Sequence, residues 1–516
     1  MLSDIILTSK SFLRSHEPQI SLLLLFASLI VTYIVLYPKP VAFDLVNGKT
    51  AFELFNRRSK ANFVKNAYGI ISDRLQKVPG KPFRVLADVG EVTILPPEYA
   101  HQIRNDERFS FTKAAYRWFY AHLPGMEGFE AGTNETHLMK LIARHQLTHQ
   151  LTKVTKPVSD ECVAALQDLY TEEEEWHQVT VREVNLKIMA RVTSRIFLGE
   201  ELCRNPDWLK VTSTYSVVAF RAVEELRKWP TLLHPVVMWF LPNCTAARGL
   251  VKQTRDIITP VLQKRRGMKA QAAATGDKVV FNDAISWLEA VAEEKSVRYD
   301  PACAQLSLST AALHSTTDFF TQVTLDIAKD PSLIDALRAE IITVLGNGTW
   351  TKNSLYNLKL MDSVLKESQR LKPIAIASMR RYTEEDVTLE DGSSVPKDSL
   401  TLVSAHRHWD EAFYKNPHSF DGYRFFNMRQ QPGLENKSQL VSATVDHMGF
   451  GFGLHACPGR FFASEEIKIT LAHMLMNYDL RTIAGCDLSP RQHGFSLLAN
   501  PTAKLEIRKR SNTQDF

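Results

Sequence analysis

Ten residues near the C-terminus, Phe450-Gly451-Phe452-Gly453-Leu454-His455-Ala456-Cys457-Pro458-Gly459, restrict the fold more than any other stretch. Gly451 and Gly453 permit positive backbone φ and a close approach to a flat ligand. Pro458 lacks an N–H and suits the first position of a helix. A helix is therefore predicted to start directly after Cys457 and to continue through Arg460-Phe461-Phe462-Ala463-Ser464-Glu465-Glu466-Ile467-Lys468. A sulfur placed there meets free N–H groups and the positive end of a helix, which favours thiolate over thiol. Such a thiolate is suited to be the axial ligand of a haem iron. The competing reading is a buried structural cysteine in a turn.

Composition narrows the class. At 44% hydrophobic and 23% charged the chain has the make-up of a globular enzyme, not of a disordered segment. Its six cysteines (Cys162, Cys203, Cys244, Cys303, Cys457, Cys486) are scattered and form no CxxC pair. That argues against a disulfide scaffold or a zinc cluster and for a reducing compartment. A net charge of +5 is too mild for a nucleic-acid partner. Residues 20–37 are almost unbroken in apolar character, long enough to span a bilayer. The run ends at Pro38-Lys39-Pro40 instead of a small-residue cleavage site, which favours an anchor over a secretory signal. Lys39, Lys49, Arg57, Arg58, Lys60 and Lys65 follow it, whereas Lys10 and Arg14 before it are offset by Asp4 and Glu17. The expectation is a lumenal segment at 1–19, an anchor at 20–37 and a catalytic domain at 38–516 in the cytosol.

Along that domain, residues 82–87 and 91–95 read as a β-hairpin around Asp88-Val89-Gly90, with a helix at 99–105. A helix is predicted over 137–150, and four acids at 172–175 read as a solvated turn. Residues 229–240 are apolar but broken by prolines, which leaves core packing or immersion in a membrane surface. Residues 267–278 read as a mobile connection. Asp300 and Pro301 are an N-cap and first residue for a long helix to about residue 329, which contains Ala311-Ala312-Leu313-His314-Ser315-Thr316. Glu367 and Arg370 share one face of a helix over 360–371. Pro373-Ile374-Ala375-Ile376-Ala377-Ser378-Met379 should run extended, ahead of Arg380 and Arg381.

The spacing of Phe450, Gly451, His455, Cys457 and Gly459 resembles the haem-binding signature of the cytochrome P450 superfamily, in its fungal microsomal form. Upstream, Glu367-Ser368-Gln369-Arg370 resembles the family's Glu-x-x-Arg, and the segment from Asn416 to Phe425 resembles the one that supplies a second arginine, Arg424. The resemblance implies a mainly α fold with a small β region (α+β), haem b lying between the long helix and the cysteine loop. It implies Cys457 as iron ligand, with Phe450, Gly451, His455 and Gly459 around the haem. Arg380 or Arg381, Arg144 and His455 would bind propionates, although the tryptophan that the family places four residues before this arginine is Lys140 here. Glu367, Arg370 and Arg424 would form a buried charge triad serving folding and haem retention. His314 stands where the family carries an acid and Ser315 where it carries threonine. Ser315 or Thr316, with His314, would relay the two protons that reductive O–O cleavage needs.

The same resemblance implies a monooxygenase that puts one atom of O2 into a lipophilic polycyclic substrate by hydroxylation or epoxidation. Electrons would come from NADPH through a cytochrome P450 reductase, with cytochrome b5 as an accessory donor, at the endoplasmic reticulum membrane. By analogy the substrate is a terpenoid, indole-terpenoid or polyketide of fungal secondary metabolism. The alternatives are a haem-thiolate isomerase or dehydratase that needs no reductase, and a haem binder without catalysis.

Overall fold

Alternating apolar residues at 83–95 form the hairpin of β1 (Phe83–Ala87) and β2 (Gly90–Leu95), which pairs Phe83 with Ile94 and turns at Gly90, φ 114°. The other strands used below are β3 (Phe109–Ser110), β4 (His177–Thr180), β5 (Ala377–Thr383), β6 (Leu400–Ser404), β7 (Tyr478–Thr482) and β8 (Lys504–Lys509). β6 joins β2 in parallel, β5 joins β6 antiparallel, and β3 closes the sheet in the order β1-β2-β6-β5-β3. A second sheet has the order β4-β8-β7. This computed structural model describes residues 43–48, 56–134, 138–346 and 350–511, with Leu25, Phe26 and Ser28. The predicted anchor at 20–37 otherwise lies outside the described residues. Among those described, no helix is long and apolar enough to cross a membrane. Two units divide after Asp44, and all that follows concerns the second, Leu45–Phe516.

The helices that frame the site are α1 (Arg57–Lys77), α2 (Phe111–Trp118), α3 (Leu147–Tyr170), α4 (Val181–Phe197), α5 (Pro206–Leu226), α6 (Pro242–Thr275), α7 (Pro301–Ile327), α8 (Pro331–Leu345), α9 (Lys359–Leu371) and α10 (Arg460–Asn477). α1 lays Phe63, Ala67 and Ile71 on the first sheet, where they share a core with Phe83, Val85, Val92 and Ile94. α7 begins as predicted, with the Asp300 side chain accepting from the N–H groups of Ala302 and Cys303. It is buried for most of its length among α4, α5, α9 and α10. α8 follows with Asp330 as N-cap.

Four expectations need correction. The helix over 137–150 is instead Leu138–Leu141, a π turn at Ile142–Gln146, and then α3, which continues through Pro157 to Tyr170. The connection at 267–278 is mostly helix: α6 runs to Thr275 because Gln271-Ala272-Ala273-Ala274 are strong helix formers, and Gly276 ends it at φ 78°. α10 starts at Arg460 with Gly459 as N-cap, so Pro458 sits in the preceding turn and not inside the helix. Core packing fails for much of 229–240, where Leu232 is 90%, Phe240 81% and Trp239 55% exposed.

Candidate functional site

The cysteine loop is held by its own backbone. Gly451 and Gly453 have φ of 73° and 78°, as their sequence position demands. A Cβ on Gly453 would stand 2.4 Å from the Cβ of Arg104 and 2.5 Å from its carbonyl oxygen. Leu454 N–H donates to that carbonyl at 3.1 Å, and Cys457 N–H donates to Phe450 O at 2.7 Å. The N–H groups of Gly459 and Arg460, the N-cap and first residue of α10, face the sulfur. Burial nevertheless pushes the Cys457 thiol up, against those two N–H groups and the Arg460 charge. For the free thiol desolvation outweighs the helix end, and a bound metal would displace the proton. Arg460, which sequence reasoning missed, donates to the carbonyls of Cys457 (2.9 Å) and Val441 (3.1 Å).

Behind the loop, Glu367 and Arg370 are both fully buried and paired through two bonds of 2.8 Å. Arg424 Nε donates to both oxygens of Glu367 at 3.0 Å, so the three residues meet. Arg370 also donates to the carbonyls of His408 and Pro417. His408 carries the contact onward. Its Nδ1–H donates to Arg370 O at 3.1 Å while its Nε2 accepts from Met448 N–H at 2.9 Å, two residues before Phe450. This tautomer is fixed by the two partners, and burial lowers the group to about 3, so the ring is neutral. Nothing in His406-Arg407-His408 distinguishes that histidine from its neighbours in sequence.

α7 has one opening in its burial. Ala311 is exposed and Thr310, Ala312, His314 and Ser315 are half-buried, in a helix otherwise buried from Ala302 to Ile327 except at Phe319. Ser315 Oγ donates to Ala311 O at 3.0 Å and Thr316 Oγ1 to Ala312 O at 2.8 Å, so both hydroxyls bond back to their own helix. His314 points elsewhere, beside the Ser213 carbonyl of α5. Burial first, then the Arg182 charge, lowers it to about 4.

The predicted haem-binding arginines separate. The Phe111 ring lies 5.8 Å from the His455 ring and 5.9 Å from the Arg381 guanidinium, which puts those two residues at one corner. Arg380 turns away: its guanidinium lies 3.8 Å over Trp118, a ring it shares with Arg227. β5 shifts register between Ser378 and Arg381, and the two adjacent arginines face different surroundings. Arg144 is exposed on the π turn, and its charge acts on Arg460. The structure therefore groups Arg381 with His455 and brings neither Arg380 nor Arg144 to that corner.

Arg381 also tests the fit of a haem. It is 2% exposed, and burial lowers it to about 10. Its Nη1 donates to Arg380 O at 2.7 Å, whereas Nε and Nη2 are buried with no acceptor. A buried guanidinium lacking acceptors is costly, and a carboxylate at this corner would supply them. A ligand that presents carboxylates here and a metal to Cys457 fits the residues present.

Known proteins resemble this chain along most of its length. The family described as cytochrome P450 matches residues 65–507. A cytochrome P450 monooxygenase of Gibberella fujikuroi is 66% identical over 432 residues, 84% of this chain and 98% of its own. The monooxygenase hepE of Aspergillus oryzae is 44% identical over 95% of this chain and 90% of its own. TRI1 of Fusarium sporotrichioides, another cytochrome P450 monooxygenase, is 39% identical over 92% of this chain and 87% of its own. Among solved structures, a retinoic-acid-bound cyanobacterial CYP120A1 superposes with TM-score 0.64 at 17% identity, covering 88% of this chain and 96% of that one.

Proposed function

The chain belongs to the cytochrome P450 family and is a haem monooxygenase, and from that premise we propose that it oxidises a lipophilic polycyclic compound of fungal secondary metabolism. The substrate would be of terpenoid, indole-terpenoid or polyketide type, and the reaction hydroxylation or epoxidation. The observation that carries this reading is the opening of α7 at Ala311–Ser315, framed by small side chains and hydroxyls with no charged group of its own. Its nearest chemical complement is an apolar body with few polar handles.

When bound, the haem supplies dioxygen binding and reductive activation. Cys457 offers the sulfur ligand, seated by the Phe450 carbonyl and the Gly459 and Arg460 N–H groups. Arg381 and His455 would hold the carboxylates. Ala311 leaves room at the oxygen-binding face, and Ser315 and Thr316 hold protons that they can pass on once they release their carbonyls. Glu367, Arg370 and Arg424, acting through His408, keep the loop in place. A reductase using NADPH supplies electrons, with cytochrome b5 as a second donor. Residues 38–516 are the catalytic domain, facing the cytosol from an endoplasmic reticulum anchor at 20–37. The exposed side chains of Leu232, Val236, Trp239 and Phe240 support contact with that membrane.

The test is a spectral titration of the haem-loaded protein with polycyclic terpenoids, indole terpenoids and aromatic polyketides, after a carbon monoxide spectrum has established the thiolate. A low-to-high-spin shift with one class is expected. An intact thiolate that responds to none of them removes the substrate assignment.

A further inference from the structure

α7 carries a polar strip of which Ser315 is only the open end. Asp318 stands four residues after His314 and three after Ser315, so its carboxyl lies on the helix surface between them, one turn deeper. Gln322 continues the strip a further turn on. Burial rises along it: Ala311 is exposed, Ser315 half-buried, and Asp318 and Gln322 are 2% and 1% exposed. Asp318 Oδ1 accepts from Ala499 N–H at 2.8 Å. On the same face of α7, Gln322 Oε1 one turn on and His314 Nε2 one turn back are buried with no hydrogen-bond partner. Folded proteins satisfy buried polar atoms, with internal water where side chains do not suffice. Two such atoms, one turn to either side of a buried carboxyl, mark a strip that takes up water.

The charges around it suit proton exchange. Arg182 of α4 acts on both His314 and Asp318, and Lys372, just past α9, is the second cation facing the carboxyl. Burial raises Asp318 to about 6 despite the Ala499 N–H, Arg182, Gln322 and Lys372. It therefore gains and loses a proton near neutrality, whereas His314 stays neutral there.

We propose that Asp318 is the proton source of this site, doing from one turn further along α7 what the residue at position 314 cannot. The carboxylic acid gives its proton, through water in the strip, to the Ser315 hydroxyl, whose own proton moves on into the opening of the helix. The carboxylate left behind regains a proton from water that enters beside Arg182, so each transfer returns the residues to their starting state. The inference rests on the monooxygenase reading.

Asp318→Asn keeps an acceptor for Ala499 N–H and removes the acid, while Asp318→Glu keeps the acid. Infrared difference spectra of the haem-loaded full chain should show a carboxylic acid band that titrates near pH 6 and is missing in Asp318→Asn. With reductase, Asp318→Asn should release several-fold more peroxide per NADPH and show a larger solvent isotope effect on product formation. Asp318→Glu should recover part of the coupling, and the substrate-induced spin shift should be unchanged in both. A band that survives in Asp318→Asn, or coupling equal to that of the unaltered protein, overturns the proposal. So does an equal loss of coupling in both variants with an earlier thermal transition, which would make the carboxyl purely structural. Absence of NADPH-dependent turnover in the unaltered protein would instead strike the monooxygenase reading, which the infrared titration does not depend on.

Discussion

Arg380 and Arg381 are adjacent, yet β5 turns one toward Trp118 and Arg227 and the other toward Phe111 and His455. Their variants should therefore differ. A charge-assisted hydrogen bond is worth about 1.5–3 kcal/mol, so Arg381→Ala should weaken haem retention about 10- to 100-fold. Arg380→Ala should leave haem affinity near that of the parent. Competition for haem with apomyoglobin would measure both, and equal losses would return the propionate role to the pair. Cys457→Ala should lose the thiolate spectrum and all NADPH-dependent turnover, and residual turnover would move the ligand elsewhere. Cys457 was legible in sequence because glycines and a proline constrain the backbone at fixed offsets from it, in a spacing that resembles a known haem-binding signature. The choice between the two arginines was not, since it depends on which face of β5 meets α2, a long-range fact. His408 and Asp318 were silent for the same reason: their partners, Met448 and Ala499, are distant in the chain.

At the scale of elements, His408 ties α9 to the cysteine loop only as a neutral ring. Protonation would fill Nε2 and abolish the bond from Met448 N–H. Because burial lowers the ring to about 3 from an ordinary 6.5, its contribution is complete above the unfolded value and is lost as pH falls from about 6.5 toward 3. The thiolate carbon monoxide band should therefore decay with acid over that window. In His408→Ala, which lacks the bridge at every pH, the band should be weaker at pH 7 and its acid decay shallower. Parallel decay curves would assign the acid sensitivity to another group. The exposed stretch 229–240 invites a second test. Trp239 should be quenched by brominated lipid when the full chain is bound to vesicles, and the quenching should disappear in Trp239→Phe. Unquenched Trp239 would leave its exposure without a membrane partner. Here the sequence left two readings open, because apolar periodicity does not tell a core face from an exposed one, and the proline breaks only ruled out a spanning helix.

For the whole molecule, the starts of α7 and α8 and the first hairpin were legible from local signals. Asp300-Pro301, Asp330-Pro331 and the alternation at 83–95 each specify an element without reference to the rest. What local signals could not give is the joint at which these elements meet, and that joint is electrostatic. Glu367 is fully buried and accepts from Arg370, from Arg424 and from the Asp421 N–H, so three donors from two segments, α9 and residues 421–424, converge on one carboxylate. Removing one partner leaves charge buried without compensation, at a cost of about 3–5 kcal/mol. Native domains are stable by only about 5–15 kcal/mol, so the loss takes a large part of the margin. Arg424→Ala should therefore lower the thermal transition and reduce haem incorporation together. Arg424→Lys should restore part of the charge but not the two-oxygen contact, and fall between. The same loss should appear in the apoprotein, because the triad joins chain segments and touches no ligand. Were Arg424→Ala to destabilise only the haem-loaded form, the triad would belong to the haem pocket and not to the fold.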